Sequence, residues 1–416
     1  MKILVAHPGK QHVFRLASAL NDADMLAGLV TTVYNKPGTI THLLLSLLPQ
    51  KLKVKAVRRK SDELPEEKII VKCELLGLIC TAISKIPFLK KFYFVANDLM
   101  NDCFGKVVAK YAIQNNIDAV ISFDNNSMKV FEYLKKHAPQ IKRILDVSIA
   151  SRIYLKEVYQ KDLNMHYEEG LFNEQAVLWK EKYMQRIRRE LEAAQFFLAG
   201  SEFVKNSLIF SGISEKRIRV IHYGVDTSAF KRKNITEEQT GLNLIYVGGL
   251  AYRKGLHHLL KVVSELLDSG ISLSLAGDFS RRSELYKCYC NFPNIHFLGF
   301  LTHEKLALEY QKADAFILAS LGEGMAMVGL EAMSSGLPVI CSTNTGLTDV
   351  INQGINGYVF DTADDQQLCR LLRYLLSHKA ELKRMGKQAR NTAVNYTWDN
   401  YGNNIIKTIK EFGEIQ

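Results

Sequence analysis

The chain reads as two doubly wound α/β domains in tandem, and three observations lead there. Apolar runs of strand length alternate with stretches of helix length along nearly the whole sequence, as in parallel sheets covered on both faces. The 416 residues are too many for one compact core and suit two. A polar, strandless stretch near residue 230 separates two such series.

Taken in order, KILVA (2–6) is a buried-strand pattern, and a helix follows from about Gln11 to Leu20. LAGLVTT (26–32), IDAVISF (117–123), RILDV (143–147), FFLAG (196–200) and IRVIHYG (218–224) continue the first series. The join is the stretch Gly224 to Gly241, which holds GVDTSAF and then the polar run KRKNITEEQT. The second series opens with NLIYVGG (243–249) and a helix from Leu256 to about Asp268. It continues with ISLSLAG (271–277), IHFLGF (295–300), AFILAS (315–320) and PVICS (338–342), then helices from about Gln366 to Phe412. The expected division is therefore an N-terminal domain 1–225, a C-terminal domain 240–395, and a last helix 396–416 packing back towards the first domain. Such a pair leaves a cleft between the carboxyl ends of its sheets, where ligands bind in this architecture.

Bulk properties exclude several classes. The chain is 47% hydrophobic and 23% charged, ordinary for a globular protein. MKILVAHPGK turns polar after one strand's length, unlike a secretory leader, and Leu75 to Phe94, the most apolar region, is cut by Lys85, Pro87, Lys90 and Lys91. The seven cysteines form no CxxC pair and read as free thiols of a reducing, cytoplasmic compartment. The net charge of +11 is lopsided: residues 1–240 carry 37 Lys and Arg against 26 Asp and Glu, and residues 241–416 carry 17 of each. Its densest part, KLKVKAVRRK (Lys51–Lys60), adjoins the apolar HLLLSLL (His42–Leu48). That juxtaposition suits an anionic membrane face, so the protein could be peripheral at the inner face of the cytoplasmic membrane. It equally suits a solvated loop beside a core helix. No nucleic-acid motif accompanies the charge, and nucleic acid is not expected as a partner.

Chemistry concentrates at 315–360, AFILASLGEGMAMVGLEAMSSGLPVICSTNTGLTDVINQGINGYVF. A strand enters a glycine-containing loop, and a helix begins near Val328. Backbone N–H groups at a helix start lack partners and carry positive dipole, so Gly324, Met325, Ala326, Met327 and Val328 offer a cradle for a diphosphate. Glu323 stands on the loop and Glu331 one turn into the helix, able to accept hydroxyls at either end of such a ligand.

This segment resembles the donor-binding motif of glycosyltransferase family 4 (group 1), whose E-x7-E signature falls here on Glu323 and Glu331. The resemblance implies a GT-B fold, with two Rossmann-like domains facing across a cleft. It further implies a retaining, metal-independent enzyme using a nucleotide sugar (UDP-, GDP- or dTDP-linked) and no other cofactor. Glu323 would face the donor sugar and Glu331 the ribose hydroxyls. YVGGLAYRKGLHHLL (246–260) resembles the same family. Its turn glycines Gly248 and Gly249 precede Arg253 and Lys254, which would neutralise the leaving diphosphate. The family often has Arg where Gly249 stands, so one cation is missing. Residues 201–230, ending in GVD-x3-F, match the segment before its interdomain linker.

On the N-terminal side the loop His7–His12 has one glycine, Gly9, where the family usually has two; it lacks a GxGxxG fingerprint. His7 and His12 either touch substrate or pack. Many relatives place a histidine after the strand at 117–123. Asp124 and Asn125 stand there; either could contact the donor sugar near the reacting centre, Asp124 could equally be a helix cap, and Asp146 is a weaker candidate. The nucleotide base is expected near 277–278 and 297–301. No metal motif stands out; Asp364 and Asp365 read as an exposed helix start. The expected function is hexosyl transfer to a glycan or lipid-linked glycan acceptor in bacterial surface polysaccharide synthesis (lipopolysaccharide, O-antigen or capsule). Two rivals are a nucleotide-sugar epimerase on the same fold, which needs no acceptor, and a silent nucleotide-sugar binding module, which would be indifferent to loss of Glu323.

Overall fold

The computed structural model describes residues 1–9, 12–46, 60–61, 63–166, 168–230 and 241–414. The basic run from Lys51 to Arg59, Leu47–Leu48 and the polar run from Lys231 to Thr240 lie outside them.

Seven parallel strands make the first sheet: β1 (Ile3–Ala6), β2 (Leu26–Thr31), β3 (Ile69–Val71), β4 (Ala119–Phe123), β5 (Lys142–Val147), β6 (Phe196–Ala199) and β7 (Ile218–Val220), in the order β3-β2-β1-β4-β5-β6-β7. Six more make the second: β8 (Leu242–Val247), β9 (Ile271–Ala276), β10 (Ile295–Gly299), β11 (Ala315–Leu318), β12 (Val339–Ser342) and β13 (Gly357–Phe360), in the order β10-β9-β8-β11-β12-β13. Every pairing is parallel. All four side chains of β1 and all five of β4 are buried, which is why these strands read as unbroken apolar runs. These are the two Rossmann-like domains the strand pattern predicts. β3 and β13, one at an edge of each sheet, extend the expected set.

In each sheet the chain starts in the middle and the strand order reverses there, at β1/β4 and at β8/β11. Those two switch points open crevices at the carboxyl ends of the strands. His7 and Asp124 follow β1 and β4; Gly248 and the loop from Ala319 follow β8 and β11.

The last helix, Trp398–Glu414, returns to the first sheet. Phe412 stacks on Phe196 with ring centroids 4.3 Å apart, and Lys142 Nζ donates to the Phe412 carbonyl at 2.6 Å. Where the chain crosses between domains, the Val225 N–H donates to the Tyr396 carbonyl at 2.9 Å. The helix Ile40–Ser46, one of whose alternatives was a core helix, buries only Thr41 and exposes Leu43 and Leu44.

Candidate active site

The loop after β11 carries the signature. Its residues end at Ala326, which precedes the helix Met327–Ser334, and no side chain caps the first N–H groups of that helix. Met325 and Ala326 themselves are core residues, leaving their backbone for a ligand, whereas Met327 is exposed. Gly324 is pressed against the other domain: a Cβ there would lie 2.0 Å from the Ser148 carbonyl oxygen.

Glu323 does not stand alone. Its Oε2 accepts from Lys254 Nζ at 2.5 Å and from Arg253 Nη1 at 3.1 Å. Burial alone would raise its pKa, but the two cations overcome that and hold the carboxyl below its ordinary range. Sequence reasoning assigned these residues to opposite ends of the donor, sugar for Glu323 and diphosphate for Arg253 and Lys254. Folding draws all three into one ion cluster. The cluster is built by backbone: Tyr252–Lys254 is a single turn ended by Gly255, at φ 64°. A Cβ at Gly255 would come within 1.8 Å of the Ala319 carbonyl, so the cationic turn and the β11 loop approach as only glycine permits. The Leu321 N–H also donates to the Arg253 carbonyl at 3.0 Å. From the other domain, Glu174 accepts the N–H groups of Tyr252 and Arg253 at 2.8 and 3.2 Å.

Glu331 lies further along the helix. Its carboxylate meets the Tyr310 hydroxyl at 3.5 Å, and burial pushes its pKa up to about 7. It is a half-buried acceptor with little of its capacity used. At the turn after β8, Gly248 has φ 154° and packs under Gly277, whose Cβ would strike its carbonyl at 1.9 Å. Gly249 is different: an added Cβ would meet nothing closer than 3.8 Å. The missing cation there is a chemical choice rather than a steric necessity.

The N-terminal candidates separate. His7 Nδ1 accepts the Gly9 N–H at 2.8 Å, which leaves the hydrogen on Nε2, a buried donor without a partner. Burial lowers the His7 pKa, favouring the neutral ring. His12 instead packs: its Nε2 bonds Asp146 at 3.0 Å and its ring lies 4.3 Å from that of Tyr223. Asp146 is closed off by this pair. Asp124 sits at the β1/β4 switch point and is half-buried. One of its oxygens accepts from Ser148 N and Oγ at 3.1 and 2.8 Å, the other from Asn125 Nδ2 at 2.6 Å. The capping alternative for Asp124 fails, because the start of the helix Met128–His137 is held by Glu190, accepting from Asn125 N at 2.9 Å and Ser127 N at 2.6 Å. Burial pushes Glu190 up to about 7 despite those bonds. A carboxylate 63 residues along the chain leaves no local trace in sequence.

A second group went unread. Asp162, on the N-terminal domain's helix Arg152–Met165, accepts from His257 Nε2 at 3.2 Å and His258 Nε2 at 2.9 Å, at the start of the helix Leu256–Glu265. His258 Nδ1 bonds Asp365 at 2.6 Å, and Asp365 also accepts from Lys261 at 2.9 Å. Asp365 is thus engaged where an exposed helix start was expected, and Asp364 caps its helix. Burial would lower the His258 pKa, but its two carboxylates raise it to about 9. Among the described residues, Asp162, His257 and His258 are the group whose ligand atoms, all within 4.8 Å of one another, could share a cation. Here they bond each other and clasp the two domains together beside the cationic turn.

Residues 227–392 match the family pattern of glycosyl transferases group 1. The sulfoquinovosyl transferase of Arabidopsis thaliana is 30% identical over 234 residues, 53% of this chain and 45% of that protein. The chain spans about half the length of the curated relatives it matches. Among solved structures, sucrose-phosphate synthase from Thermosynechococcus elongatus superposes with a TM-score of 0.69 at 16% identity, covering 99% of this chain and 98% of that one. Anabaena HepE in complex with UDP gives 0.62 at 15%, over 99% and 100%. Residues 227–392 thus resemble a group 1 glycosyl transferase domain, within a chain whose fold is GT-B.

Proposed function

We propose that the protein transfers a hexosyl residue from a nucleoside-diphosphate sugar (UDP-, GDP- or dTDP-linked) to a glycan or lipid-linked glycan acceptor, with retention at the anomeric carbon. The observation that carries the proposal is the cluster of Lys254, Arg253 and Glu323 beside an uncapped helix start, with the half-used acceptor Glu331 behind it. A diphosphate lying along the helix start meets fixed N–H donors and two cations. The ribose hydroxyls reach Glu331. As the bond from anomeric carbon to phosphate oxygen breaks, Lys254 and Arg253 stabilise the charge growing on the diphosphate. The acceptor hydroxyl enters on the same face and its proton passes to the departing phosphate oxygen. Glu323 keeps both cations aimed at that spot and accepts a hydroxyl of the sugar. These groups supply the positive charge, so the reading assigns no metal and no further cofactor.

The acceptor side would be the crevice at His7, Gly9 and Asp124. Asp124 acts through Ser148, whose carbonyl abuts Gly324. Synthesis of a bacterial surface polysaccharide, at the cytoplasmic membrane's inner face, is the setting this reading favours; the basic first half of the chain supports it.

A thermal-shift screen against UDP, GDP and dTDP tests the proposal. A nucleotide at a hundredfold its Kd adds ~2.7 kcal/mol of stability. One diphosphate should stabilise the protein, and Glu331→Ala should abolish the effect. If none does, the donor assignment falls. The anomeric configuration of the product, read by proton NMR, then tests retention; an inverted product would refute the same-face step.

A further inference from the structure

Two helices from different domains meet at one carboxylate. Asp162 lies on the helix Arg152–Met165 of the N-terminal domain, and His257 and His258 lie in the first turn of the helix Leu256–Glu265 of the C-terminal domain. Their side chains are 2%, 6% and 5% exposed in that order. Successive residues of a helix point ~100° apart, yet both imidazoles turn to this one carboxylate. His257 Nε2 stands 3.2 Å from one of its oxygens and His258 Nε2 2.9 Å from the other.

The far nitrogens of the two rings differ. His258 Nδ1 bonds Asp365 at 2.6 Å, and Lys261 holds Asp365 at 2.9 Å. A carboxylate on the far nitrogen is the arrangement that orients a metal-bound histidine and makes its near nitrogen a better ligand. His257 Nδ1 is buried and has no partner. Moving the ring hydrogen of His257 to Nδ1 therefore breaks no bond there and frees the Nε2 lone pair.

The spacing and the donor set fit the same ion. Tetrahedral zinc, with nitrogen and oxygen ligands at ~2.0–2.1 Å, keeps those ligands ~3.4 Å apart. The three ligand atoms here lie within 4.8 Å of one another, and two of the pairs stand at 2.9 and 3.2 Å. Shifts of about 1 Å or less per side chain close the difference. Two imidazoles and a carboxylate suit an ion of zinc's class, whereas magnesium and calcium take oxygens. Asp162 and Asp365 together match a divalent charge. His166 is exposed and its ring centre lies 5.4 Å from that of His258, so the group adjoins solvent.

We propose that Asp162, His257 and His258 bind one divalent ion of zinc's class that bridges the two domains, with Asp365 orienting His258 behind it. On binding, the Nε2 hydrogen of His258 leaves to solvent, that of His257 is replaced by one on Nδ1, and the ion takes both Nε2 lone pairs. Water completes the tetrahedron. The ion fastens the domains and takes no part in the transfer, since its ligands belong neither to the helix start at Met327 nor to the Glu323 cluster. The inference stands apart from the transferase reading.

The full chain, stripped with a chelator and dialysed, tests this with zinc and cobalt as the probes. After zinc is added and the excess removed by gel filtration, elemental analysis should find one zinc per chain. His257→Gln should retain about a tenth of that or less, and Asp365→Asn should bind roughly tenfold or more weakly. The double variant Cys288→Ser, Cys290→Ser removes the exposed Cys288 and its neighbour and should bind like wild type. Cobalt in the wild type should give a visible absorption band without a thiolate charge-transfer band, a readout that needs no variant to fold. Hydrogen exchange should slow on zinc addition in both helices, Arg152–Met165 and Leu256–Glu265. Stabilisation by nucleotide should persist in chelator. The inference would be overturned by absence of bound metal, metal kept by His257→Gln or lost with the cysteines, or an affinity unmoved in Asp365→Asn. So too would a thiolate band, slowing confined to one helix, or a nucleotide shift that needs the ion. A nucleotide shift absent with and without zinc would instead sink the transferase reading and leave this one standing.

Discussion

The clasp between Asp162 and His258 invites a quantitative test. Asp162→Asn keeps the shape of the side chain and removes its charge. His258 is displaced from 6.5 to about 9, which corresponds to ~3 kcal/mol, and Asp162 from 3.8 to about 2, which corresponds to ~2.5 kcal/mol. These overlap and do not add: His258 also bonds Asp365, and Asp162 also bonds His257. The shared link is therefore worth no more than ~2 kcal/mol. Side-chain exposures of 2–5% leave little solvent to screen it. The sign follows from the direction of each displacement. A histidine raised in the folded state contributes fully below 6.5 and loses its contribution as pH rises through 9. The depressed carboxyl contributes above 3.8 and loses its contribution as pH falls through 2. The clasp is thus at full strength between about pH 4 and 6.5. The groups facing it, Asp365, Lys261, His257 and His166, stay the same in wild type and variant. Melting of both proteins at pH 6.5 and pH 9.8, with a chelator present so that no cation replaces the proton, measures the link. At about 2–4 °C per kcal/mol, the variant should melt roughly 4–8 °C below wild type at pH 6.5 and nearly with it at pH 9.8. An equal gap at both values, or none at pH 6.5, would refute the reasoning.

Three further outcomes follow from the site. Glu331 sits near pH 7 because of burial, so affinity for the nucleotide sugar, whose diphosphate diester does not titrate there, should rise about tenfold from pH 6 to 8. Isothermal titration with Glu331→Gln should flatten that profile, and a slope that survives would assign it elsewhere. Lys254→Met should lower kcat by about a hundredfold or more while Lys254→Arg restores part of it; a kcat unchanged in the methionine variant would remove Lys254 from the leaving-group role. Gly324→Ala drives a methyl into the Ser148 carbonyl and should hold the domains apart, seen as a larger radius of gyration in X-ray scattering with nucleotide binding retained. An unchanged radius would mean that this contact does not set the cleft.

What could be read in advance follows distance along the chain. β1 and β4 announce themselves because both faces are covered, and the pair Glu323 and Glu331 because strand, loop and helix lie within one local string. The union of Glu323 with Arg253, 70 residues apart, has no such signature. Nor does the capping of one helix by Glu190 from another, or the meeting of Asp162 with His258 across 96 residues. Adjacent histidines in a helix look like a core detail until the partner helix supplies a carboxylate. The glycines divide in the same way: Gly255 and Gly324 are required by backbone contacts with loops distant in sequence, and Gly249 is required by nothing steric. His7 stood open between touching substrate and packing, and only its bond to Gly9 shows which nitrogen carries the hydrogen.

The chain passes between its domains twice, once before residue 230 and once back at 395–398, and the two passages lie side by side, joined from Val225 to Tyr396. At Gly224 they touch so closely that a Cβ would come within 2.3 Å of the Trp398 nitrogen. A single tether would let one body swing, slide and twist against the other. Two passages pinned together hold the domains at one place rather than by one free length of chain, which keeps Gly324 within reach of Ser148 and His258 within reach of Asp162.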